Sequence, residues 1–162
     1  MKTLRGFTPL ELIAVIAVFI LLASASFAFL SDAWRDARDE RRITDLMSLS
    51  LAFTEYYHDH GEFPAGVSGA IGDHGPLHDL LSPYLTELPT DPAGSDDLTF
   101  FYYYDEEHQC GDNLSAAVFA HQMDSADHAN YEDVRELCNG VLDSEGRGEG
   151  EASYTIILQG EN

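Results

Sequence analysis

Residues 10–30 form a run of 21 residues, apolar almost throughout, with a single charge, Glu11, at its head. At 1.5 Å per residue a helix of that length covers about 31 Å, close to the roughly 30 Å of a bilayer hydrocarbon core. The run does not end in a turn. From Ser31 to His60 there is neither glycine nor proline, and residues 32–42 mix both signs of charge at helical spacing. Ile43, Leu46, Met47, Leu49, Ser50, Phe53 and Tyr57 then recur at three- and four-residue steps, the pattern of an amphipathic face. Gly61 and Pro64 close that pattern. One helix is therefore predicted over about residues 8–60, near 80 Å long. A small domain cannot bury a helix of that length, so its first half must be covered by lipid or by other chains.

Lys2 and Arg5 precede the apolar run, which puts the N-terminus on the cytoplasmic side and the rest outside. An ordinary secretory signal would have a shorter apolar core with a small-residue cleavage site after it. Ala23-Ser24-Ala25-Ser26 imitates such a site, yet Phe27-Ala28-Phe29-Leu30 carries the apolar run past it. A plain signal anchor is the second rival. Glu11 separates these readings, because a carboxylate in an apolar segment costs on the order of 2 to 3 kcal/mol, less near the interface. A simple anchor has no use for it. Pro9 is tolerated in the first helical turn, where the missing N–H costs little.

The chain carries 8 basic and 29 acidic residues, for a formal net charge of -21. Six of the basic residues come before Ile43, and Arg135 and Arg147 alone follow it, against 24 acidic residues. Such a surface repels phosphate backbones, so direct nucleic-acid binding by an isolated subunit is not expected. Its simplest use is solubility. Cys110 and Cys138 both fall in the exported part, where an even count favours a disulfide over two buried thiols.

The leader Met1-Lys2-Thr3-Leu4-Arg5-Gly6, then Phe7, then Glu11 four residues beyond it, then the apolar run, closely resembles the N-terminal signature of the type IV pilin and pseudopilin family. The resemblance implies cleavage after Gly6 by a prepilin peptidase, followed by N-methylation of Phe7. It implies that Glu11 pairs with the Phe7 amine of a neighbouring subunit, so that its penalty is offset in the filament and sets register. Pro9 departs from the aliphatic residue that many members carry there. Two further stretches are similar to the family: the helix exit Tyr56-Tyr57-His58-Asp59-His60-Gly61-Glu62-Phe63-Pro64, and Leu88-Pro89-Thr90-Asp91-Pro92 before the sheet. Cys110 and Cys138 bracket a segment that resembles the disulfide-bounded C-terminal loop of many pilins. Major pseudopilins of the type II secretion family hold a calcium in a C-terminal loop, which makes Asp143, Glu145 and Glu149 the calcium candidates here. The acidic loop at 143–151 fits no EF-hand pattern, however, and Arg147 stands where a ligand is expected. No cofactor is assigned.

The fold class expected is α+β and pilin-like. One long N-terminal helix packs by its second half on a small antiparallel sheet of about three strands. Residues 98–104, 114–121 and 153–159 are the predicted strands. A short helix is predicted at 77–84, where Leu80, Leu81 and Leu85 face the long helix, and a further helical pattern covers 131–138. The chain divides into a leader at 1–6, a transmembrane and assembly half-helix at 7–30, and a globular domain at 31–162. His58 with His60, and His74 with His78, are the histidine pairs with metal-like spacing, but neither has a third ligand, and Pro76 breaks a helix between the second pair. No nucleophile elbow, phosphate loop or zinc motif is present, so no enzyme is expected.

The expectation is a structural subunit of a type IV pilus-like filament, serving adhesion, motility or DNA uptake. Its partners would be like subunits, the prepilin peptidase, an inner-membrane platform protein and an assembly ATPase. The alternatives are a pseudopilin of a type II secretion system or a membrane-tethered extracytoplasmic cation-binding domain. Localisation would be the inner membrane before assembly, with the N-terminus cytoplasmic, then an extracellular filament or a periplasmic pseudopilus.

Overall fold

The computed structural model describes residues 8–72, 74–94, 100–110, 113–137 and 153–160, without the side chains of 25–29, 107–110 and 113–114. In chain order the elements are helix α1 (Pro9–His60), strand β1 (Gly69–Ile71), helix α2 (Pro76–Leu81), strands β2 (Tyr102–Cys110) and β3 (Asn113–Ala120), a 3-10 turn (Ala126–His128), helix α3 (Tyr131–Leu137) and strand β4 (Tyr154–Leu158). The chain forms two compact units, Met1–Arg35 and Asp36–Asn162.

The first unit is helical, and its described apolar side chains are exposed on every face. Leu10, Leu12, Ile13, Val15, Ile16, Val18, Phe19, Ile20, Leu21 and Leu22 all stand open. A helix that is apolar all round has no stable place in water. Among the described residues no helix is long and apolar enough to cross a membrane, and the side chains of 25–29, within the 10–30 run, lie outside that description.

In the second unit, the later part of α1 buries Leu46, Leu49, Ala52 and Phe53. These pack in one core with Tyr102, Tyr104, Ala116, Val118, Ala120 and Leu158 of the sheet, and with Leu77 and Leu81 of α2. Phe53 stacks on Tyr104 with ring centroids 4.3 Å apart. Leu85 joins the edge of this core, as the sequence predicted. Met47, placed on the buried stripe by its spacing, is exposed instead. It sits one position off the Leu46–Leu49–Phe53 line, and a 3.6-residue turn carries it round to solvent. The helix ends as expected at Gly61, whose φ of 79° suits a left-handed cap and whose N–H donates to Tyr57 O at 2.7 Å.

The sheet is antiparallel throughout, in the order β1-β2-β3-β4. Among the described residues it has four strands where about three were expected. The added one, β1, pairs Gly69 with Tyr104 and Ile71 with Tyr102. Gly-Ala-Ile carries no alternation of its own, and the ladder supplied by β2 is what makes it a strand. β2 also starts later than its aromatic run suggested and continues through Asp105 and Glu106, with an irregularity between Asp105 and His108. Tertiary pairing overrides the weak strand preference of those acidic residues.

Candidate assembly site

At the head of α1, Thr8 and Glu11 close on each other. The Thr8 N–H and hydroxyl both donate to Glu11 Oε2, at 2.8 and 2.9 Å, while the Glu11 N–H lies 3.3 Å from Thr8 Oγ1. The first turn continues with the Leu12 N–H donating to Thr8 O at 3.2 Å. This is a capping box: a hydroxyl residue at the N-cap, a glutamate three positions on, and proline at the first helical position. Thr8-Pro9-Leu10-Glu11 spells it in the sequence, which places Pro9 in the first helical turn and Glu11 as the assembly carboxylate but names no cap. Pro9 starts the helix. Glu11 satisfies the Thr8 backbone N–H, which an apolar surrounding would otherwise leave bare. Gly6 and Phe7 lie outside the described residues.

The second unit holds a buried ionic cluster that the sequence reading missed. Asp39 and Arg42, within the segment that mixes both signs of charge at helical spacing, are both fully buried. Arg42 Nε and Nη2 donate to the two oxygens of Asp91 at 2.7 and 2.8 Å. Its Nη1 donates to Asp39 Oδ1 and Asp124 Oδ2, each at 2.7 Å. Arg38 grips both oxygens of Asp124, at 2.7 and 2.8 Å. Asp39 also accepts the backbone N–H groups of Asp124 and Ser125, both at 2.8 Å, and lies 3.2 Å from His128 Nδ1. The Phe100 ring lies against the Arg42 guanidinium, 4.4 Å away. A signal was available. Positions 39, 42, 46, 49 and 53 continue one stripe at steps of three and four, so the two charges occupy core positions.

The electrostatics follow from the packing. Burial pulls the Arg42 guanidinium down, but its hydrogen bonds to Asp91, Asp124 and Asp39 outweigh that and raise it overall. The Arg38 hydrogen bonds, helped by Arg42 against partial burial, lower Asp124 from 3.8 to about 2. Nearby, burial raises Asp45 despite the hydrogen bond it accepts from Tyr102 at 2.8 Å. This cluster is closed around Asp39, Arg42 and Asp91 and partly open to water at Arg38 and His128. It straps the Asp91-Pro92 turn and the segment after β3 to α1 within the second unit.

The other sequence candidates do not converge. His74 precedes α2 and His78 lies within it; His58 and His60 sit at the end of α1, with His60 Nδ1 2.9 Å from Tyr56 O. No group of three histidine, cysteine or acidic side chains able to hold a metal occurs among the described residues. Asp143, Glu145, Glu149 and Cys138 fall outside those residues, as does the side chain of Cys110.

An α+β fold with one long N-terminal helix, apolar on all faces at its start and packed later on an antiparallel sheet, defines a pilin-like structural subunit. A type IV major pilin protein PilE1 of Neisseria gonorrhoeae is 34% identical over 89 residues, 54% of this chain and 53% of that protein. A type II secretion system core protein G of Klebsiella pneumoniae is 31% identical over 103 residues, 59% of this chain and 74% of that protein. The protein of the same name from Pectobacterium carotovorum subsp. carotovorum is 29% identical over 99 residues, 57% and 64% of the two chains. The chain belongs to the type IV pilin and type II secretion pseudopilin family. The match spans about half the length of the pilins. No family model and no solved structure matches it.

Proposed function

We propose that this chain is a filament subunit, held in the inner membrane by residues 7–30 and then assembled through the same helix. The observation that carries this reading is the helix of the first unit, apolar and open on all sides, headed by a capped carboxylate. Such a surface needs apolar surroundings over its whole circumference, and a bilayer followed by a bundle of like helices supplies them in turn. A prepilin peptidase removes residues 1–6, Phe7 becomes the methylated N-terminus, and Glu11 exchanges its Thr8 contacts for the Phe7 amine of a neighbour. A platform protein and an assembly ATPase supply the extraction. Mass spectrometry of the native protein tests the processing step: the expected first residue is Phe7, and an intact Met1 or a cut near Ala25 would overturn it.

The destination of the filament has two readings, a surface pilus or a periplasmic pseudopilus of a type II secretion system. Coverage favours the second, since the match reaches 74% of the Klebsiella pneumoniae core protein G but about half of the pilins. Deleting the gene separates them: loss of surface fibres supports a pilus, and loss of an exported enzyme from the medium supports a pseudopilus.

A further inference from the structure

We propose that Trp34, with Arg35 beside it, anchors the unassembled subunit at the outer headgroup layer of the membrane while Glu11 sits at the inner one. This rests on the reading of residues 10–30 as the segment held in the bilayer. Twenty-three positions separate Glu11 from Trp34 in one continuous helix, a rise of about 35 Å. The hydrocarbon core is about 30 Å thick, so both residues emerge from it at once, one on each side.

The chemistry at the outer end suits that position. Trp34 follows Leu30 by one turn, and its side chain is 61% exposed, with no hydrogen bond or ring contact among the described residues. An indole has an apolar body and one N–H donor, which makes the interface between acyl chains and headgroups its preferred environment. Arg35 is also exposed and brings a cation that reaches lipid phosphate while its methylenes stay against the apolar layer. Asp32 and Asp36 flank Arg35, so the step carries no net positive charge, and the indole together with the single guanidinium contact to a phosphate supplies the attraction. The anchor also removes the need to place Glu11 in the apolar core. With Trp34 seated at one headgroup layer, the capping box lies at the other, where its carboxylate stays hydrated.

Trp34 is the sole tryptophan of the chain, so its fluorescence reads the position directly in the unaltered protein. The full chain is reconstituted in vesicles of phosphatidylethanolamine and phosphatidylglycerol, recovered by flotation, and measured with lipids brominated either near the headgroup or near the acyl-chain end. The expected result is blue-shifted emission that loses more intensity to the shallow bromines than to the deep ones. Water-like emission quenched by aqueous iodide overturns the anchor, as does stronger quenching by the deep bromines. Blue-shifted emission that neither bromine set touches also overturns it, because a second copy of the chain then covers the ring. A chain that fails to float overturns the bilayer reading itself, and the anchor with it.

Discussion

Arg42 of α1 and Asp91 of the turn before the sheet form a buried two-point ion pair, Nε to Oδ2 at 2.7 Å and Nη2 to Oδ1 at 2.8 Å. They are 49 residues apart in sequence, and neither has significant contact with water. Asp91 is tied down a second time, accepting the Ala93 N–H at 2.8 Å. The pair therefore fixes the turn in place while its charges compensate each other out of solvent.

Removing only the cation is expected to be costly. Arg42→Met leaves Asp39 and Asp91 buried without their partner, which should destabilise the second unit by about 3 to 5 kcal/mol. Chemical unfolding of the detergent-solubilised chain, followed by near-ultraviolet circular dichroism, measures this. A loss below about 1 kcal/mol would show that water reaches the carboxylates and that the cluster is not closed.

Acid should weaken the same cluster. The folded-state value of Asp124 lies near 2, below its ordinary 3.8. The stabilisation it brings is thus complete above about pH 4 and lost as pH falls toward 2, about 2 kcal/mol in all. Asp45, raised by burial, works in the opposite sense, so the useful quantity is the difference between the parent chain and Asp124→Asn. That difference should shrink between pH 4 and 2; a constant difference across the range would refute the assignment.

At the head of α1, Glu11→Ala should abolish filaments while leaving the subunit made and inserted, read by electron microscopy and membrane fractionation. A tethered cation-binding domain would be indifferent to it. Thr8→Val should cost the capping box about 1 kcal/mol. If Thr8→Val matches Glu11→Ala in every readout, Glu11 acts through the cap alone and not through a neighbouring Phe7.

Cys110 and Cys138 are expected to be joined. A disulfide closing their 28-residue separation should contribute about 3 to 4 kcal/mol. Peptide mapping without reduction should recover the linked pair, and reduction should lower the unfolding midpoint. Two alkylatable thiols in the native exported protein would remove the disulfide from the account.

Periodicity carried the helices well because their signals are local. The absence of glycine and proline between Ser31 and His60, the stripe at Leu46, Leu49 and Phe53, and Gly61 as the cap define α1 almost to its last residue. The capping box was equally local and readable from Thr8-Pro9-Leu10-Glu11. Strand β1 was not, since Gly69-Ala70-Ile71 becomes a strand only by pairing with residues more than thirty positions later. The ionic cluster was hidden for a related reason: a charged residue looks solvated unless its distant partners are known, and the partners of Arg42 lie at 91 and 124.

What the sequence alone determined is the helix, its apolar first part and the carboxylate that heads it, because each depends on neighbours within a few turns and on the transfer energy of apolar side chains. Only the tertiary structure decided that Asp39 and Arg42 lie inside, which strand joins the sheet edge, and how the Asp91 turn is held. Those outcomes depend on contacts between residues far apart in the chain. Burying a charge is affordable only where the fold has already brought its counter-charges within hydrogen-bonding distance.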